Sequence, residues 1–61
     1  MINQNSIEYS LAYKLADKLF GNQNVTDAKI ICDVAMMLVG QGFSKEYSHK
    51  VAEQVFSDLF E

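Results

Sequence analysis

Apolar side chains recur along this chain at three- and four-residue spacing, and nowhere in the strict alternation that marks a half-buried strand. Three such stretches are separated by the only glycines, at 21, 40 and 42. The pattern predicts helices over about 6–20, 27–39 and 45–60. In the first, Ile7, Leu11, Leu15 and Leu19 form a row at i, i+4 spacing, with Asn5 expected as N-cap, Glu8 in capping-box position and Gly21 at the left-handed C′ site.

The polar linker GNQNV leads to the second helix, expected to start at Thr26 as N-cap and to stop at Val39 before Gly40. Ser44 caps the third, which carries Val51, Val55 and Leu59 in one row and Ala52, Phe56 and Phe60 beside it. Its wet face is expected to hold Lys45, Glu46, Lys50, Glu53, Gln54, Ser57, Asp58 and Glu61. No proline, repeat or low-complexity segment interrupts this plan. The fold class is therefore all-α, a compact three-helix bundle forming a single domain over 1–61.

The width of the apolar faces changes the picture, because a surface helix needs an arc of only about 100°. On the second helix Ile30, Ile31, Cys32, Val34, Ala35, Met36, Met37, Leu38 and Val39 cover roughly 260°, leaving Lys29 and Asp33 as the wet strip. On the first, Tyr9, Tyr13, Ala16 and Phe20 widen the arc to roughly 200°. Sixty-one residues cannot bury so much in one core. The surplus predicts a contact surface for a second copy or another protein, built from Tyr9, Tyr13, Phe20, Met36 and Met37, since tyrosine and methionine are enriched at interfaces.

The corner LVGQGFSKEYSHK, residues 38–50, raises a different possibility, a helix-turn-helix reading DNA through Ser44, Lys45, Ser48, His49 and Lys50. Such a motif wants apolar anchors about six and nine residues after its turn glycine. From Gly40 these positions are Glu46 and His49, and from Gly42 they are Ser48 and Val51. Neither register has two apolar anchors. Charge weighs the same way: net charge is -3, with eight acidic residues against five lysines and no arginine, whereas nucleic-acid modules carry a basic patch.

Candidate chemistry is sparse. His49 stands one turn before Glu53, at ion-pair spacing, with no nucleophile in view. Cys32 is expected inside the apolar arc as a buried small hydrophobe. One Cys and one His fall short of a zinc set, and Asp27 and Asp33 point apart on a helix. G-Q-G-F-S lacks the lysine and spacing of a phosphate loop. No enzyme activity, cofactor or small-molecule substrate is expected. The first ten residues lack a secretory signal pattern and no apolar run approaches about 18 residues. A cytoplasmic protein-protein interaction module, homodimeric or docked as a regulator on a larger protein, is the leading expectation, and a DNA-binding regulator the alternative.

Overall fold

The computed structural model describes residues 2–22 and 24–60. Gln23 of the linker and Glu61, expected on the wet face of the third helix, lie outside them. Three helices, α1 (Ile7–Phe20), α2 (Asp27–Gly40) and α3 (Lys45–Phe60), pack each against the other two as a compact bundle, with no strand among the described residues.

Helix ends follow local chemistry, with two shifts from expectation. The N-cap of α1 is Ser6 rather than Asn5: the Ser6 hydroxyl accepts from the Tyr9 N–H at 3.2 Å. The Asn5 N–H is instead turned to the Asn3 side-chain oxygen at 2.8 Å, an Asx turn that brings the chain into the helix. Gly21 caps the other end in a right-handed conformation, φ -73°, so its glycine freedom is unused there. Thr26 caps α2 and Ser44 caps α3 as expected, through the Lys29 and Tyr47 N–H groups.

The second shift is at the α2–α3 corner. α2 continues through Gly40, and the left-handed residue is Gly42, φ 105°. The Gly42 N–H donates to the Val39 carbonyl at 3.0 Å and the Phe43 N–H to the Leu38 carbonyl at 3.2 Å. Those two bonds make a Schellman motif with Gly42 at C′, and Phe43 folds back onto the core as its hydrophobic partner.

The core is built from Tyr9, Ala12 and Ala16 of α1, Ile30, Val34 and Leu38 of α2, and Val51, Ala52 and Val55 of α3. α3 faces inward along its expected row, except that Phe60 is 59% exposed. α1 does not. Its expected row splits: Leu15 and Leu19 pack on the core, while Ile7 is 76% exposed and Leu11 is also on the surface. An i, i+4 row advances about 40° around a helix at each step, so it winds through roughly 120° between Ile7 and Leu19. A straight contact therefore cannot hold the whole row. The α1 contact runs instead through Tyr9, Ala12 and Ala16, whose two alanines let the backbones approach closely.

Candidate functional site

Each tyrosine and phenylalanine first expected at a partner's surface can now be placed. Tyr9 is 8% exposed, and its hydroxyl donates to the Asp58 carboxylate. It belongs to the core. Burial, then that hydrogen bond, pushes the Tyr9 phenol up to about 12, and the same bond draws the Asp58 carboxyl below its ordinary value. Gln54 and Gln4 also donate to Asp58, at 2.9 and 3.3 Å, so this residue of the expected wet face is a half-buried acceptor. Phe20 closes a cluster with Phe56 and Phe60, its ring centroid 5.2 and 5.0 Å from theirs. Met37 packs half-buried against the core. Of the five residues, only Tyr13, 40% exposed, and Met36, 68% exposed, are open to solvent.

What α2 does expose is a second apolar stripe. Ala28, Cys32, Met36 and Gly40 stand two residues out of step with the core row Ile30, Val34 and Leu38, and two residues are about 200° around a helix. One row must face out when the other faces in. Cys32, expected to be buried, is accordingly on the surface. With half-buried Ile31 and Ala35, and with Val39, the residues Ala28, Cys32 and Met36 of this stripe floor a groove of about 550 Å³ between α2 and α3.

Lys45, His49 and Glu53, one turn apart on α3, form the groove's charged rim. His49 lies 3.4 Å from Glu53, an ion pair when the imidazole is protonated, and on the α2 side Lys29 lies 3.7 Å from Asp33. The floor offers no hydrogen-bonding side chain apart from the Cys32 thiol, which is weak in that role. Such a surface takes another apolar surface. A larger depression of about 730 Å³ adjoins residues 2–5, but Asn3, Gln4, Asn5 and Gln54 wall it with amides that water serves well.

The candidate DNA-contact residues are not all on one face. Lys45, His49 and Lys50 are exposed, and Ser44 is occupied in capping α3. Ser48 is fully buried, its hydroxyl without a hydrogen-bond partner among the described residues, so it cannot touch a phosphate. The same fact removes one sequence objection. In the register starting at Gly42 both anchor positions, Ser48 and Val51, are buried. The first turn of α3 is also firmly held, by the Phe43 and Tyr47 rings at 5.9 Å and by the Tyr47 hydroxyl donating to Glu8 at 2.6 Å. That bond lowers the Glu8 carboxyl and raises the Tyr47 phenol.

No group of three or more His, Cys, Asp or Glu side chains converges on a metal-sized site among the described residues, and no helix there is long and apolar enough to cross a membrane. No family model matches the chain, and no curated protein or solved structure is significantly similar to it.

Proposed function

We propose that this chain is a small protein-protein interaction module of the cytoplasm, acting as a homodimer or as a regulator docked on a larger protein, and that the α2–α3 groove is its contact surface. The observation that carries this reading is the exposed stripe through Cys32, Met36 and Val39, which a 61-residue domain leaves open although it is short of core. A flexible thioether at the centre of an apolar groove adapts to a partner's shape. The exposed Cys32 thiol fits a reducing compartment. The one imidazole of the groove, His49, lies 3.4 Å from the Glu53 carboxylate, and the Cys32 thiol shares the lining with it.

Binding of an environment-sensitive apolar dye to the wild type, Met36→Asp and Tyr13→Ala tests the reading. Dye binding lost in Met36→Asp and kept in Tyr13→Ala supports the groove as the sticky surface. Dye binding absent from the wild type at every concentration, with the chain monomeric, ends it.

A second reading has one observation in its favour, the burial of Leu38, Ser48 and Val51 around the Gly42 turn, as a helix-turn-helix requires. In that case the exposed start of α3 would enter the major groove. Against it, Glu46 and Glu53 share one surface depression with Lys45, His49 and Lys50, so carboxylates would meet phosphates. A gel shift at low ionic strength decides: phosphate contacts give a complex that weakens steeply as salt is added, and the absence of any shift dismisses the reading.

A further inference from the structure

Along the α3 rim of the groove the side chains run Lys45, His49, Glu53, cationic at one end and anionic at the other. Eight residues of helix put those ends about 12 Å apart. α2 contributes no charged side chain to the groove lining; its Lys29 and Asp33, outside the groove, pair with each other at 3.7 Å. The groove is thus an apolar strip with one bipolar edge. A strip of this kind is complementary to its own copy turned end for end, because a two-fold axis across it reverses the order of the charges.

Resting on the reading of the groove as a protein-contact surface, we infer that its occupant is a second copy of this chain, with α2 lying antiparallel over α2 of the partner subunit and α3 over α3. In that arrangement Lys45 of each protomer faces Glu53 of the other. Met36 stands near the axis and fills the groove of the opposite copy. The outer ends of the α2 stripe are the small residues Ala28 and Gly40, which put no bulky side chain in the way of the partner helix. The antiparallel α2 pair also sets opposed helix dipoles side by side. α2 has 14 residues and is about 21 Å long, which places the contact at the small end of specific interfaces. The dimer dissociates on dilution.

Sedimentation or light scattering on the full chain from about 5 µM to about 500 µM measures this. The expected result is a mass rising from the 6.9 kDa monomer toward twice that value. Met36→Asp weakens association by about a hundred-fold or more, since it places a carboxylate in the centre of the contact. Lys45→Glu and Glu53→Lys each weaken it by roughly three- to ten-fold, and the double exchange returns it to within about two-fold of wild type. Within one chain these two residues are too far apart for their exchange to restore anything. All three positions are exposed, and circular dichroism confirms that the variants fold.

A wild type that stays monomeric across the range overturns the second-copy inference, as does a double exchange no tighter than either single one. If that monomer still binds the dye through Met36, the contact-surface reading survives for a different partner. If it binds none, both fall together.

Discussion

The seam between α1 and α3 and the outer side of α2 are both rich in apolar residues, yet they are finished in opposite ways. At the seam the rings carry polar handles and each handle is used: Tyr9 donates to Asp58, and Tyr47 donates to Glu8. Three phenylalanines close its end with centroids 4.5 to 5.2 Å apart. The outer side of α2 has aliphatic, thioether and thiol groups facing solvent, with no such ties. A buried tyrosine needs a hydrogen-bond partner, and the chain supplies one wherever the ring is meant to be internal. On the function proposed above, the face without polar finishing is the one a partner covers.

The core row and the outer row of α2 should respond very differently to truncation. Leu38→Ala should cost about 2–5 kcal/mol and leave a chain of this size partly unfolded at room temperature. Met36→Ala at low concentration should stay within about 0.5 kcal/mol of wild type. Urea denaturation reads both, and equal losses would mean that the two stripes are not inside and outside as described.

The seam has a signature in pH. Asp58 and Glu8 have lowered carboxyl values in the folded chain, so the stability they contribute is present above the ordinary carboxylate range and is lost as acid protonates them in the fold. Tyr9 runs the other way. Its phenol is raised from 10.0 to about 12, so its contribution holds below pH 10 and is lost as pH rises from there toward 12, while the unfolded chain ionises first. Tyr9→Phe should lower the thermal midpoint at pH 7, by less than Leu38→Ala does, and should flatten the alkaline limb. Met36→Ala should change neither limb. An alkaline limb unchanged by Tyr9→Phe would remove Tyr9 as its source.

At the corner joining the two regions, neighbouring glycines should respond with opposite sign. Gly42→Ala forces a side chain into left-handed backbone and should cost about 1 kcal/mol. Gly40→Ala, in right-handed helix with open space around its Cβ, should gain up to about 1 kcal/mol, read as the shift in thermal midpoint. In the core, Ser48→Ala removes a buried hydroxyl with no hydrogen-bond partner among the described residues and should be neutral or stabilising by up to about 1 kcal/mol. A clear loss there would mean that the hydroxyl is hydrogen-bonded in solution.

Much of this is legible in the sequence alone. The glycine breaks, the caps at Thr26 and Ser44 and the core row of α3 depend on neighbours a few residues away, and sequence spacing reports these directly. The groove was half legible. The excess arc on α2 predicted that apolar surface would be left over. What the arc did not reveal was which row faces the bundle. Tyr9 and Tyr13 look equivalent in sequence, and only Asp58, 49 residues from Tyr9, makes one of them internal.

Three helices, their ends to within about a residue, and an excess of apolar face over what one small core can hold are all readable from the chain, because helix formation, capping and periodicity are local properties. How far each helix is rotated about its own axis is not local. That rotation put Ile7 and Cys32 outside and Tyr9 and Ser48 inside, since it is set by how the side chains of three helices interlock at once, and no spacing along a single helix contains that information.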